Sequence, residues 1–415
     1  MGVVAPNGHG VINFEEALRE GRSGIRFFQK LKELNFSCQI GGMPENFDEV
    51  RSSYFDHEKL LSLNDNIGYI SVSAIDAWRD AGFTLPDDNG QVDWDTGAIL
   101  GCGIGGMDTI AERVVPMVGE GRVRRLGSRI VEQVMNSGTS ARVGGLLALG
   151  NQVTSNSAAC STGTEAIVTA LERIRSGLAK RMLAGGSEGA SPYIWAGFDS
   201  MRVIARKFND QPKQGSRPMS ASANGFVPGA GGAILILEEL QTALDRGARI
   251  YAEILGGNVN CGGQRHGGSM TAPNPEGVQR CIRGAMADAH ITADQIDAIN
   301  GHLTATFADP YEVNNWSQAL ERGPQDFPYI NSTKSMIGHC LGATGAIESV
   351  AAIVQLYKGF LHPSINCEDV HPDISAFSDR IPRHAMECPE LKVMIKACFG
   401  FGDVNSCLVF KKWEQ

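Results

Sequence analysis

One cysteine lies in a run of small residues immediately before a predicted helix. The run spans residues 156–166 (NSAACSTGTEA), with Cys160 at its centre. A helix N-terminus offers free N–H groups and the positive end of the helix dipole, both of which favour a thiolate. Small neighbours leave room for a substrate to approach. The segment therefore predicts a nucleophile, and a buried structural cysteine, which is the commoner fate of a free thiol, stays open as the alternative.

Two histidines and a lysine occupy small-residue turns after predicted strands. His302 follows a short apolar strand, and α/β folds place chemistry at the C-terminal ends of strands. His339 comes five residues after Lys334, which could hold a carboxylate or tune a histidine. Packed histidines and a solvated lysine are the alternatives. Asp309 and Glu312 follow His302 and could cap or salt-bridge the next helix.

A turn near the end of the chain carries two aromatic residues among glycines. Phe399 and Phe401 alternate with Gly400 and Gly402 between two predicted strands. Such a turn could act as a gate, and its N–H groups could bind an oxyanion, although an ordinary turn is the alternative.

One thiol, two imidazoles and one ammonium group together suit a decarboxylative Claisen condensation. The thiolate would store an acyl group as a thioester. The imidazole N–H groups would hold the thioester carbonyl of a malonyl unit while CO₂ leaves and enolate charge develops.

Strands and helices are predicted to alternate along the chain, which indicates α/β layers. Helices are predicted over 13–35, with Asn13 as a candidate N-cap, 65–81, ending at Gly82, 163–177, 238–246 and 345–357. Strands are predicted over 96–100, 181–184, 233–237, 251–255, 297–300, 329–331, 392–398 and 406–410. Because the first residues read as a strand end, we expect further apolar residues before Met1.

Composition narrows the class of protein. The chain has 415 residues, and its formal charge is 37 − 46 = −9, which disfavours nucleic-acid binding. Its ten cysteines are scattered without CxxC pairs, which argues against zinc and against a disulfide framework. A weak G-x-G-x-x-G match at Gly101, Gly103 and Gly106 favours close packing over nucleotide binding. Without a run of about 18 apolar residues or a signal peptide, we expect a cytoplasmic protein with no membrane partner.

These motifs closely resemble the β-ketoacyl-acyl carrier protein synthases of the two-histidine type, the elongating enzymes of type II fatty acid and polyketide synthesis. The resemblance runs from Gly2 to Gly402. It implies an α/β, thiolase-like fold in which two similar halves form a five-layered α-β-α-β-α core. Residues 1–245 would carry the nucleophile, and residues 246–415 would carry the histidines and the lysine.

The resemblance also implies roles for individual residues. The catalytic set would be Cys160 as the acylated nucleophile, His302 and His339 as the pair that binds the malonyl thioester oxygen, Lys334 and Glu348 as a supporting network, and Phe401 as the gate, whose N–H completes an oxyanion hole with that of Cys160. The substrate-binding set would be Thr304 and Thr306 on the phosphopantetheine arm, and Ile104 and Phe198 around the acyl pocket.

The resemblance implies no metal and no permanently bound cofactor, because phosphopantetheine arrives on an acyl carrier protein. It implies a homodimer, or a heterodimer with a ketosynthase-like subunit. The alternative function is that of a non-catalytic, chain-length-factor-like partner, although such partners characteristically lack the nucleophile. A thiolase would have a second active-site cysteine, and a starter-unit synthase would have a His/Asn pair, so the two histidines speak against both.

Three departures from the family pattern concern substrate choice and gating. Leu303 replaces a glycine, Asp403 and Val404 replace Gly-Thr, and the turn over 225–232 lacks its usual acidic residue. These changes suggest a specialised branch that makes polyketides or aryl polyenes.

Overall fold

The computed structural model describes residues 1–87 and 89–414, and these residues form fifteen strands. In chain order the strands are β1 (Gly2–Ala5), β2 (Gly8–His9), β3 (Ile25–Phe27), β4 (Ile40–Gly42), β5 (Thr96–Gly101), β6 (Val153–Thr154), β7 (Arg181–Glu188), β8 (Gly231–Glu238), β9 (Ala252–Cys261), β10 (Ala298–Asn300), β11 (Tyr329–Asn331), β12 (Phe360–Leu361), β13 (Met386–Glu387), β14 (Val393–Gly400) and β15 (Val404–Lys412).

Sixteen α-helices connect these strands within the described residues. They are α1 (Gly10–Glu20), α2 (Gln29–Glu33), α3 (Phe47–Tyr54), α4 (His57–Leu60), α5 (Asp65–Asp80), α6 (Met107–Thr109), α7 (Val115–Gly119), α8 (Ile130–Val134), α9 (Gly138–Leu146), α10 (Thr162–Arg175), α11 (Pro192–Ser200), α12 (Leu240–Asp245), α13 (Pro275–Asp288), α14 (Asp309–Leu320), α15 (Lys334–Ile337) and α16 (Thr344–Lys358). Short 3₁₀ turns precede α10 (Ala159–Ser161) and α16 (Leu341–Ala343).

Two sheets repeat one strand pattern. The first has the order β2-β1-β8-β7-β5-β6, and the second has the order β11-β10-β14-β15-β9. In each sheet the strand next to one edge, β5 or β10, pairs in parallel with both neighbours. The remaining pairings are antiparallel, three in the first sheet and two in the second. Apart from the short β2, the five strands of each half occupy the same spatial order when they are ranked along the chain. The predicted similarity of the two halves is visible in this repeat.

Helices separate and cover the two sheets. Helices α5 and α9 pack on the outer face of the first sheet, and α13 packs on the outer face of the second. Helices α10 and α16 lie between the sheets and contact both. The order is therefore α-β-α-β-α, as predicted. The division at residue 245/246 stays a prediction, since the two central helices join both sheets into one body.

The central position explains the composition of α10 and α16. In α16 every residue from Thr344 to Leu356 is buried, because apolar or small groups must face protein on all sides. Where the two helices begin, a Cβ on Gly163 would lie 2.5 Å from the nitrogen of Ala346, and a Cβ on Gly345 would lie 2.5 Å from the nitrogen of Thr164. The small residues after Cys160 thus serve close helix packing, not only substrate access as the sequence suggested.

The predicted helix over 13–35 is wrong. Helix α1 begins after His9 and ends at Gly21, whose left-handed backbone (φ 64°) gives a C-cap, and β3 and α2 follow. Asn13 is therefore not an N-cap but lies inside α1, where its side-chain amide donates to the His9 carbonyl. Elsewhere the predicted elements are present with shifted ends. Among the described residues, no helix has the length and apolar character needed to cross a membrane.

Candidate active site

Cys160 lies at the junction of the two central helices and the second sheet. It sits in the 3₁₀ turn that leads into α10, after Ala159, whose backbone is left-handed at φ 47°. The side chain is partly buried, and its Sγ lies 3.1 Å from Nε2 of His339. The structure thus joins a residue of the first half to a residue of the second half.

The surroundings of Cys160 act on the ionisation of its thiol in opposite directions. Burial raises the pKa of Cys160 to about 12, while the Lys334 charge and a hydrogen bond from the Phe401 N–H act in the opposite direction. Loss of water around the sulfur is the largest influence on this pKa, and it opposes the thiolate that a helix N-terminus favours. Activation of Cys160 by the helix N-terminus stays a prediction.

His339 is held in one tautomer by the backbone. The Leu341 N–H donates to Nδ1 over 3.2 Å, and Thr344 Oγ1 lies 2.9 Å from the same nitrogen. A backbone N–H can only donate, so Nδ1 carries the lone pair and Nε2 carries the hydrogen. Burial, Lys334 and Lys396 lower the pKa of His339 well below its usual value. The neutral ring therefore presents an Nε2–H donor beside Cys160.

His302 follows the end of β10 and faces His339. The two ring centroids are 5.3 Å apart with planes at 85°. Burial, Lys334 and the other histidine lower the pKa of His302 well below its usual value. Its Nδ1 is buried and has no hydrogen-bond partner among the described residues. Two neutral imidazoles thus line one side of the sulfur.

Two buried carboxylates hold the loop that carries His302. Glu312 accepts from the N–H groups of His302 (2.6 Å) and Leu303 (2.7 Å). Asp309 accepts from the N–H groups of Thr304, Ala305 and Met219. Burial raises the pKa of Asp309 to about 6 and that of Glu312 to about 7. The sequence suggested that Asp309 and Glu312 could cap or salt-bridge α14. Instead, their carboxylates hold the loop that follows β10.

Lys334 binds Glu348 in the interior, as the predicted supporting network requires. Their Nζ and Oε1 atoms are 2.6 Å apart, with exposed side-chain fractions of 1% and 0%. A further lysine, Lys396 of β14, was not among the predicted site residues, and its Nζ lies 2.7 Å from the other Glu348 oxygen. Its position inside the apolar run of a predicted strand was the available signal, since such a charge needs a buried partner.

Phe401 lies in the turn between β14 and β15, and its backbone N–H donates to the Cys160 sulfur. Its ring is 6.0 Å from that of Phe198, which packs at 5.4 Å against Phe226. Ile104 joins the same apolar cluster. A Cβ on Gly400 would lie 3.1 Å from the Cys160 nitrogen, so glycine permits the close approach of the two predicted oxyanion-hole segments. The gate and pocket roles stay predictions.

Thr304 and Thr306 lie on the loop after His302. Their Oγ1 atoms are 3.0 Å apart. Phe307, the next residue, is 76% exposed, so this loop leads from the buried histidine to the surface. The predicted contact with a phosphopantetheine arm fits this position and stays a prediction.

The departures at Leu303 and Asp403 both place a side chain on a left-handed backbone. Leu303 has φ 24° and is fully buried in the core of the second half. Asp403 has φ 64°, and its carboxylate accepts from the N–H groups of Gln264 and Asn274, each over 2.8 Å. The second departure thus ties the Phe401 turn to the segment over 262–274.

Cys160, His302 and His339 place three potential ligand atoms within 4.8 Å of one another, a spacing that Zn²⁺ could use. A metal on Nε2 of His339 would move the ring hydrogen to Nδ1, against the Leu341 N–H. The tautomer therefore suits hydrogen-bond donation better than metal binding. That the protein needs no metal stays a prediction.

Comparison with known proteins adds independent evidence. The family model for the β-ketoacyl synthase N-terminal domain matches residues 1–243, and that for the C-terminal domain matches residues 251–368. The chain is 33% identical over 415 residues to 3-oxoacyl-acyl-carrier-protein synthase 1 of Escherichia coli, covering 100% of this chain and 98% of the relative. It is also 33% identical over 417 residues to the chloroplastic synthase I of Arabidopsis thaliana, covering 100% and 86%.

Solved structures of ketosynthases also resemble this chain over nearly its whole length. A β-ketoacyl synthase from Burkholderia phymatum superposes with a TM-score of 0.90 at 29% identity, covering 100% of this chain and 98% of that one. A ketosynthase bound to a hexaketide, in complex with its type II polyketide synthase acyl-carrier protein, superposes with a TM-score of 0.88 at 28% identity, covering 99% and 98%. The ishigamide ketosynthase/chain length factor gives a TM-score of 0.88 at 27% identity, covering 100% and 98%.

Proposed function

Because this chain belongs to the β-ketoacyl synthase family, we propose that it condenses an acyl chain held on Cys160 with malonyl-acyl carrier protein. The product is a 3-oxoacyl-acyl carrier protein, and the enzyme is an acyltransferase. The observation that carries the proposal is the contact between the Cys160 sulfur and the Nε2–H of His339, with His302 beside it. A thiol next to two neutral N–H donors suits acyl storage followed by stabilisation of an enolate.

Acylation is the first half of the reaction. The Cys160 sulfur attacks the thioester carbonyl of the primer, a new C–S bond forms, and the C–S bond to phosphopantetheine breaks. The thiol proton ends on the departing phosphopantetheine sulfur. His339 Nε2 already carries a hydrogen and cannot accept that proton. The Cys160 and Phe401 N–H groups act on the oxyanion during this step.

Decarboxylation and condensation form the second half. The bond between the malonyl carboxylate and the methylene carbon breaks, CO₂ leaves, and the electron pair moves into an enolate whose oxygen accepts from the two imidazoles. The enolate carbon then attacks the acyl carbonyl on Cys160. The C–S bond to Cys160 breaks as the carbonyl re-forms, and the departing sulfur takes a proton from water. Lys334 and Glu348 hold the charge around the histidines during this sequence.

The partner and cofactor follow from this chemistry. The acyl carrier protein brings phosphopantetheine along Thr304 and Thr306, past Phe401 and into a pocket shaped by Ile104 and Phe198. The named neighbours include a ketosynthase with its acyl-carrier protein and a ketosynthase/chain length factor, which support a carrier partner and a dimer. Cytoplasmic location is part of the proposal, although some relatives are named chloroplastic or mitochondrial.

Polyketide or aryl polyene synthesis is the pathway class that we favour over bulk fatty acid synthesis. The support is the pair of departures Leu303 and Asp403, which alter the loops beside the site. A chain-length-factor-like subunit is the alternative function. Against it stand the nucleophile and both histidines, which lie in contact in one site.

Intact-mass spectrometry with malonyl-loaded carrier protein and a panel of acyl primers tests the proposal. We expect a primer-mass adduct on the protein and a two-carbon-longer 3-oxoacyl product. Cys160→Ala should lose the adduct, and Cys261→Ala, which removes the exposed thiol, should keep it. Product without adduct, or an adduct that survives Cys160→Ala, would contradict the assigned nucleophile. No adduct from any primer would favour the non-catalytic partner.

A further inference from the structure

A second lysine, on β14, joins the buried ion pair of Lys334 and Glu348. Lys396 is fully buried, and its Nζ lies 2.7 Å from Glu348 Oε2. The same ammonium group donates to the Ala397 carbonyl and to the Cys398 sulfur. Glu348 therefore bridges two lysines, with Lys334 on Oε1 and Lys396 on Oε2.

The formal charge of this cluster is unbalanced. Two ammonium groups face one carboxylate, and the three side chains are between 0% and 1% exposed. An uncompensated buried charge is costly, so the cluster favours a negative charge placed nearby. The malonyl carboxylate and the enolate are the anions that the proposed reaction brings to this place.

The positive charge also reaches both histidines. Lys334 and Lys396 each lower the pKa of His302 and of His339, in addition to the effect of burial. The titratable groups around the two rings are Lys334, Lys396, Glu348, Glu312, Cys160 and Cys398. The charge of Lys396 therefore adds to that of Lys334 and does not merely cancel Glu348.

We propose that Lys396 is a positioning residue for the condensation: it fixes Glu348 and thereby Lys334, and its charge favours the anion formed when CO₂ leaves. The inference rests on the proposed condensation and assigns a role to a residue outside the predicted catalytic set. Lys396 makes no hydrogen bond to the Cys160 sulfur or to His302 and His339 among the described residues. It acts through Glu348 and through its charge.

Lys396→Met is the test variant. Methionine has a similar length without the charge, and it leaves Lys334 and Glu348 as a balanced one-to-one pair, so the fold should survive. Lys411→Met is the matched control, since it removes an exposed lysine from the neighbouring strand β15. CO₂ release from malonyl-acyl carrier protein and acylation of Cys160 are measured separately, each as a function of pH.

We expect Lys396→Met to lower CO₂ release at least tenfold and to change Cys160 acylation by less than threefold. The acid limb of the CO₂-release profile should move to higher pH, because the imidazoles lose a repelling charge. CO₂ release within twofold of wild type, or an equal loss of both rates, would overturn the proposal. If Lys396→Met does not fold, Lys396→Gln replaces it, because glutamine keeps a neutral donor for Glu348. The rates of CO₂ release and of Cys160 acylation are then compared in the same way.

Histidine ring NMR separates this proposal from the proposed function. If the wild-type protein released no CO₂, the condensation would fail, yet the imidazole titrations of His302 and His339 would still be measurable. A shift of both titrations to higher pH in Lys396→Met, absent in Lys411→Met, supports the role of the Lys396 charge. Unmoved titrations overturn it.

Discussion

Asp403 joins the Phe401 turn to residues 262–274 by hydrogen bonds. Loss of its carboxylate should make both the turn and this segment open more often. Its carboxylate accepts from the N–H groups of Gln264 and Asn274, each over 2.8 Å. Its carbonyl accepts from the Gly262 N–H, and the Gly402 N–H donates to the Met270 carbonyl. Four hydrogen bonds thus join the turn to residues 262–274.

Asp403→Asn isolates the contribution of the carboxylate. The amide retains one acceptor oxygen, while its NH₂ faces a backbone N–H that has lost its partner. Hydrogen bonds to charged groups contribute about 1.5–3 kcal/mol each, so losing one bond and weakening the other costs about 2–4 kcal/mol. At about 1.4 kcal/mol per tenfold, the opening equilibrium of the segment should rise by about 30- to 700-fold.

Hydrogen exchange measured by mass spectrometry on peptides covering 262–274 reads this opening directly. Exchange should accelerate by at least tens of fold in Asp403→Asn, and alkylation of Cys160 should speed up because Phe401 lies in the same turn. Asp373→Asn, which changes an exposed carboxylate of a distant 3₁₀ helix, serves as the control. Exchange within threefold of wild type would contradict the assigned role of the Asp403 carboxylate, since its two hydrogen bonds would then not limit the opening of the segment.

Three further predictions concern the histidines, their supporting carboxylate and the helix junction. His302→Ala or His339→Ala should slow CO₂ release more than Cys160 acylation, because only the enolate needs both N–H donors. The two rates are measured separately. Equal losses of both rates would count against the proposed role of the histidines in decarboxylation. Burial raises the pKa of Glu312 to about 7 from 4.5, so the folded protein retains a proton that the unfolded chain loses, and the free energy of unfolding falls as pH rises through this window. Between pH 6 and 7.5 the fall is about 1 kcal/mol, and urea unfolding of Glu312→Gln should lack it while Asp309→Asn keeps it. Gly163→Ala should destabilise the fold by about 1–3 kcal/mol, because its Cβ would lie 2.5 Å from the Ala346 nitrogen. The expected result is a lower Tm in thermal unfolding. Gly119→Ala is the control, since a Cβ there meets nothing within 4 Å.

Residue type and spacing were enough to predict the alternation of elements and the four motif segments. The helix over 13–35 was wrong because Gly21 adopts the left-handed conformation and Gly24 abuts Pro6, where a Cβ would lie 2.4 Å from the backbone. The first constraint is a local C-cap that a glycine at this position can signal. The second comes from a tertiary contact and leaves no trace in hydrophobic spacing. Family resemblance, not periodicity, supplied the layer order.

The parts of the site that sequence reasoning missed depend on contacts between distant segments. Lys396 meets Glu348 across 48 positions of the chain, and Glu312 serves backbone N–H groups ten and nine residues before it. The His339 tautomer depends on one backbone N–H, that of Leu341, whose direction follows from its left-handed φ of 48°. None of these contacts has a spacing rule that a single sequence reveals.

The electrostatics of the site favour an anion that arrives with the substrate over one made on the enzyme. Two buried lysines face one glutamate, both imidazoles are held neutral, and burial raises the pKa of Cys160 to about 12. A thiolate is the form that reacts with oxidants and alkylating agents, so a raised pKa disfavours these side reactions at Cys160. In the proposed reaction the malonyl carboxylate would supply the missing negative charge, and its loss as CO₂ would pass that charge to the enolate oxygen beside the two N–H donors. The same positive cluster therefore serves substrate binding and the step that follows it, which is why removing Lys396 should affect CO₂ release and spare acylation.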